Sequence, residues 1–251
     1  MIKFFRRIRH GLLIENPPAG RAGKLSRYLI YAIGEIVLVV IGILIALSIN
    51  NWNESNKLIK REKSLLTELR TNLETNVINL ENDITSQVKS AATIQFLLDH
   101  LDSRKPYMDS LDYFFAEADI APDVVLTSSA FETLKSIGFE LIKKDSLRKE
   151  ILYLFEVTYP TLMQGTKRIE DQVWPTASVP MYQKHFRREI EGRNHPINYN
   201  ALLNDKEFTN MLSFRVSMRK GSTSNKILVV NETKKLIKFI ENELIKQNTN
   251  N

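Results

Sequence analysis

The sequence predicts an all-α protein: an N-terminal basic amphipathic helix, then one transmembrane helix continuing into a long helix, then an elongated helical bundle. Three observations carry that prediction. Residues Leu29 to Ile49 form a nearly unbroken apolar run, the apolar residues after Trp52 recur at helical spacing, and no segment sustains the alternation of a strand. The chain divides accordingly into a basic arm at 1–28, a span at 29–49 and a helical domain at 50–251.

In the arm, MIKFFRRIRHGLLI places Ile2, Phe5, Ile8 and Leu12 near one helical face, with Arg6, Arg7, Arg9 and His10 around the rest. This pattern reads as a helix lying on the cytoplasmic leaflet, the alternative being a disordered basic tail. A linker, Pro17 to Gly20, separates it from the span.

The span holds fourteen Ile, Leu or Val residues, each favouring insertion by about 0.3–0.6 kcal/mol near the bilayer centre. At ~1.5 Å rise per residue the run reaches roughly 30 Å, the thickness of a hydrocarbon core. Glu35 opposes insertion by at most about 3 kcal/mol and sits near the N-terminal edge, so insertion prevails. Lys3, Arg6, Arg7, Arg9, Arg21, Lys24 and Arg27 precede the span against a single acid, Glu15. Basic flanks stay cytoplasmic, which predicts an inner-membrane protein with its N-terminus in and everything after Asn50 periplasmic. Tyr28, Tyr31 and Trp52 mark the two interfaces. Ala46-Leu47-Ser48 resembles a signal-peptide cleavage site, but the basic region is too long and the apolar run exceeds about 15 residues, so a signal anchor is expected. The Arg6-Arg7 pair lies too far from the apolar run for twin-arginine export.

Within the span, Gly34, Leu38, Gly42 and Ala46 share a face, and Gly42-xxx-Ala46 is a small-xxx-small pattern. With Glu35 beside them, Gly42 and Ala46 are the candidate helix-association residues; the alternative for Glu35 is a snorkelling edge carboxylate near Arg27 or Tyr31.

From Trp52 to Pro106 there is neither Pro nor Gly. Leu66, Leu69, Leu73, Val77, Leu80, Ile84, Val88 and Ala91 step as an eleven-residue repeat, whereas a heptad from Leu69 meets Asn76 and Asp83. One helix to about residue 103 is predicted, with roughly 75 Å beyond the bilayer. It forms one face of an antiparallel bundle or an intermolecular coiled-coil stalk, and Asn76 and Asp83 fall outside its apolar stripe. A helix near Tyr107–Glu117 and a Pro122 turn follow. Ser129 with Glu132 makes a capping box, and Gly138 is placed to end that helix. Asp145 is expected to cap an amphipathic stretch, Leu147 to Leu162, kinked by Pro160. Trp174-Pro175 opens the least regular part, to about Asn204. Asn204 with Glu207 caps a helix ending near Gly221, and a last helix covers about Ser224–Lys246, with Ile227, Val230, Leu236, Ile237, Ile240 and Leu244 on one side. The end is thus expected to be a two-helix hairpin.

The net charge of +6 and pI near 9.3 belong to the arm, since residues 51–251 hold 28 bases and 27 acids. That balance argues against nucleic acid as a partner. With no cysteine, thiol chemistry and disulfides are excluded. His10, His100, His185 and His195 lack metal spacing; Glu189 and Glu191 between the last two make only a weak metal candidate. No nucleophile elbow or phosphate-cradling glycine loop is present, and Asp99, Asp102, Asp109 and Asp112 read as a solvated face. No catalytic residue, cofactor or metal is therefore assigned, and an enzyme is not expected.

MIKFFRRIRHGLL, the run YAIGEIVLVVIGILIALSINNWNE from Tyr31 to Glu54, and SAFETLKSIGFELIKKDSLRKEI from Ser129 to Ile151 resemble the recurring segments of a family of small single-pass membrane proteins of gram-negative bacteria. The family is a domain of unknown function. The resemblance implies an inner-membrane anchor with a helical periplasmic domain and no particular activity. Two functional classes follow: an envelope interaction or scaffold domain, perhaps homodimeric or bound to other envelope proteins, and a ligand-sensing module that signals through a separate membrane partner. A closed apolar pocket with converging polar groups would favour the second.

Overall fold

With no helix breaker between Gly42 and Pro106, a single helix, α1, runs from Arg21 to Asp102. The structure, a computed structural model, describes residues 21–120, 124–189 and 192–249. The arm helix at 1–14, its Pro17–Gly20 linker and the Pro122 turn lie outside the described residues. The chain divides into two units, Met1–Ile59 and Lys60–Asn251.

In the first unit α1 carries its large apolar side chains outward: Leu29, Ile36, Val40, Leu44 and Ile49 are all exposed. Among the described residues this is the one helix long and apolar enough to cross a membrane. Glu35, Gly42 and Ala46 are exposed on it, and a Cβ built on Gly42 meets nothing within 4 Å.

The second unit is built on three long rods. The first is α1 beyond Lys60. Helices α2 (Leu111–Asp119) and α3 (Ser129–Ile137) follow, then a 3₁₀ turn at Phe139–Leu141. The second rod comprises α4 (Asp145–Tyr153), α5 (Tyr159–Val173) and α6 (Val179–His185), joined through wide i→i+5 turns at Leu154–Thr158 and Trp174–Ser178. A two-residue-wide ribbon pairs β1 (Phe186–Arg188) with β2 (Asn194–Pro196), antiparallel, with Arg187 opposite His195. After α7 (Tyr199–Asn204) comes the third rod, α8 (Lys206–Thr249). Contacts Lys63–Asn248, Glu81–Lys234 and Arg104–Asn204 run α8 antiparallel to α1. Lys144–Glu243, Thr158–Glu232 and Lys184–Asp205 run it antiparallel to the second rod. So α1 serves here as a face of an intrachain bundle.

Several expectations change. Pro160 and Pro180 do not break the second rod. A proline's ring crowds the carbonyl four residues back, and here those residues, Glu156 and Thr176, lie inside the wide turns. The stretch after Trp174 is therefore mostly helical, ending in the small ribbon. Gly221 does not end a helix, so α8 replaces the expected hairpin; packing along both other rods holds it straight through one poor helix former. The cap of α8 is Asp205, not Asn204: its Oδ1 accepts from the N–H groups of Glu207 and Phe208 at 2.9 and 3.2 Å. Asp145 lies in the first turn of α4 and pairs with Arg148 and Lys149 rather than capping.

The capping box at Ser129 is also replaced. The cap of α3 comes from α1, where Asn72 Oδ1 accepts from Ala130 N–H and Ser129 Oγ–H, both at 3.0 Å. One turn on, Asn76 exchanges two hydrogen bonds with the backbone of Thr127 at 2.7 and 2.9 Å. Gly138 ends α3 as expected, with φ of 113°.

The apolar register of α1 differs most. Its inward positions are Leu66, Leu69, Leu73, Asn76, Leu80, Asp83, Gln87, Ser90, Ile94, Leu97 and Leu101, in alternating steps of 3 and 4. That is a seven-residue repeat. The eleven-residue stripe fails at Val88, which is 54% exposed, and it leaves out the buried Asn76 and Asp83. On α8 the same correction exposes Ile227 and buries Lys226.

Candidate functional site

The core of the second unit is two apolar clusters. One gathers Leu66, Leu73, Phe131, Leu134, Ile151, Phe155 and Ile240, and the other Ile94, Leu97, Phe115, Tyr182, Phe208 and Leu212. Between them on α1 stand Asp83, Gln87 and Ser90, all buried; facing them on α8 stand Arg215, Arg219 and Lys226. The heptad directs the first set inward, and the length of Lys and Arg lets the second set cross to it.

Lys226 is fully buried and its Nζ donates to Asp83 Oδ2. Arg219 donates to Gln87 Oε1 at 3.2 Å and to the Ile120 carbonyl at 3.1 Å. Arg215 donates to Ser178 Oγ at 2.8 Å and to the carbonyls of Asp119 and Ile120. These cations thus tie α8 to α1, to the second rod and to the end of α2. Asp119, half-buried there, has its carboxyl pushed up by burial, an effect opposed by Arg215 and Arg188.

Around the second cluster two histidines face carboxylates. His185 Nε2 lies 2.7 Å from Asp205 Oδ2, and since a carboxylate only accepts, Nε2 carries the proton. Asp205 is held well below the usual carboxylate range by Lys184 first and then by His185 and the backbone N–H groups it caps. Tyr107 donates to Asp112 Oδ1 at 2.7 Å, so His195 Nδ1, 3.0 Å from the Tyr107 oxygen and 3.1 Å from Asp112 Oδ2, is the donor to both. Burial, then the hydrogen bond to Asp112, pushes the Tyr107 phenol up. His100 donates from Nε2 to the Pro106 carbonyl at 3.1 Å.

The structure therefore separates the residues considered for a metal. His185 and His195 turn to different carboxylates, and among the described residues no group of three His, Asp or Glu is placed to hold an ion. Asp112 leaves the expected solvated face and is buried, while Asp99, Asp102 and Asp109 stay exposed. The Asp83–Lys226 pair was missed because a polar residue at an inward position looks like a break in the pattern. The signal that finds it is the 3–4 alternation continuing on both sides, from Leu66 to Leu80 and from Ile94 to Leu101.

The described surface also carries an open groove of about 570 Å³ between the second rod and α8. It is not a closed pocket. A family model described as "Family of unknown function (DUF6090)" matches residues 35–217. No curated protein and no solved structure matches the chain.

Proposed function

The chain belongs to this family of unknown function, and from that premise we propose that it is an inner-membrane protein whose periplasmic helical domain acts as an interaction or scaffold module. The apolar stretch Leu29–Ile49 anchors it with the N-terminus inside, for the charge reasons given above. The observation that carries the reading is the use of the domain's buried ionisable groups. Asp83, Lys226, Arg215, Asp112 and His185 are engaged in joining one helix to another, which builds a surface rather than a reaction centre. Weak self-association through Gly42 and Ala46, with Glu35 as a polar contact, accompanies the anchor; such contacts are worth about 0.6–2 kcal/mol.

The test uses the full-length protein in its native membranes, with a photo-cross-linking residue at Phe214 or Tyr113, both exposed. A discrete heterologous adduct at one position supports the module. Its absence at both, with a cytoplasmic reporter active after Asn251, refutes both the contacts and the orientation. Gly42→Ile should reduce association in a membrane two-hybrid assay while Val39→Ile does not.

A further inference from the structure

The groove between the second rod and α8 has features that packing of the chain itself leaves unexplained. Gly165 and Gly221 line it from opposite helices. Glycine is the poorest helix former after proline, yet neither residue has a positive φ, and a Cβ on either meets nothing within 4 Å. Their smallness keeps open space. Ser222, also lining the groove, has a buried hydroxyl oxygen with no hydrogen-bond partner among the described residues. The wide turn at Leu154–Thr158, a feature common at functional sites, forms one end of the wall.

The groove's chemistry is that of an amphiphile site. Its sides are aliphatic (Val157, Leu162, Met218, Leu228 and Val229), and Tyr153, Val157 and Leu228 stay exposed at its lips. From Met218 to Glu232 it follows α8 for roughly 21 Å at ~1.5 Å per residue, the reach of an extended long acyl chain. Its volume of about 570 Å³ falls within the range of ligand cavities, ~300–1,000 Å³. Near the glycine end, Ser222 and Asn225 offer a hydroxyl and an amide, the donors that an acyl carbonyl accepts from.

We infer that this groove binds a single long acyl chain by its apolar length, with the carbonyl head at Ser222 and Asn225. The inference does not rest on how the domain meets protein partners. The shared chemistry has two sources, a free fatty acid or one chain of a membrane phospholipid.

The test labels the full-length protein in membranes with a diazirine palmitate and, separately, with a diacyl phosphatidylglycerol carrying the same group, and maps adducts by mass spectrometry. Adducts at 153–165 and 218–232, displaced by excess palmitate, are expected with at least one probe. Labelling by the first alone identifies a free acid, and by the second a membrane lipid. Gly221→Leu should lower labelling there at least tenfold while leaving adducts at 29–49 unchanged and thermal stability not reduced. Leu228→Asp, at an exposed lip, should do the same should the leucine variant misfold. Adducts confined to 29–49, or groove adducts indifferent to both substitutions, overturn the inference.

Discussion

Lys226→Met should be among the most damaging single changes in this protein. It leaves the Asp83 carboxylate buried without its ammonium, and Asp83 Oδ1 already has no hydrogen-bond partner. Removing one partner of a buried pair costs about 3–5 kcal/mol, because the stranded charge keeps its desolvation penalty and loses its compensation. Replacing both partners removes the stranded charge. Asp83→Leu with Lys226→Met extends the apolar seam between Leu80 and Ile94, and such replacements are neutral or stabilising by about 1–4 kcal/mol. Urea unfolding of the full-length protein in detergent, followed by the helical circular dichroism of the wild type, both single variants and the double, gives the coupling directly. The double variant should recover most of the loss. Equal destabilisation by the single and double variants would refute the argument, since the layer would then depend on shape or on other partners rather than on the pair.

Asn76→Lys should cost about 2 kcal/mol or more, because it loses both bonds to Thr127 and buries an unpaired ammonium; unchanged unfolding would restore the eleven-residue register. Gly138→Val should cost about 1–3 kcal/mol, from a φ of 113° and a Cβ only 2.9 Å from Glu140 Oε2, as read by the urea midpoint. Burial, as the largest cause, raises the Glu62 carboxyl above 4.5 in the folded state, against the 2.8 Å bond from Lys143 N–H. The folded protein then holds that proton more tightly, so stability falls as pH rises from the unfolded value through the raised one. Glu62→Gln should flatten that fall in pH-dependent melting curves. Asp205 has the opposite sign: its depressed carboxyl contributes stability above about pH 4 that is lost as pH falls through the folded value. Asp205→Ala should cost about 1–2 kcal/mol through the lost cap alone and remove that acid sensitivity.

What the sequence determined by itself is what local chemistry determines. The length and apolarity of 29–49, the unbroken helix to Asp102, the inward Leu73 and Leu80, and the positive φ at Gly138 each depend on residues within a few positions of one another. Phe131, Leu134 and Leu141 likewise joined the same core as α1 at the spacing read from the chain. The tertiary structure decided wherever a polar residue had a distant choice of partner. Asn72 caps α3 across 58 positions, Lys226 neutralises Asp83 across 143, and Asp112 is buried because His195 and Tyr107 reach it. Periodicity counts a polar residue as outward because burying it alone is costly. The cost disappears only when a second segment brings the matching group, and no local pattern specifies which segment that will be. Gly221 and Pro160 follow the same logic: each is a helix breaker by propensity, and packing along neighbouring rods, with a wide turn at the proline, carried the helices through.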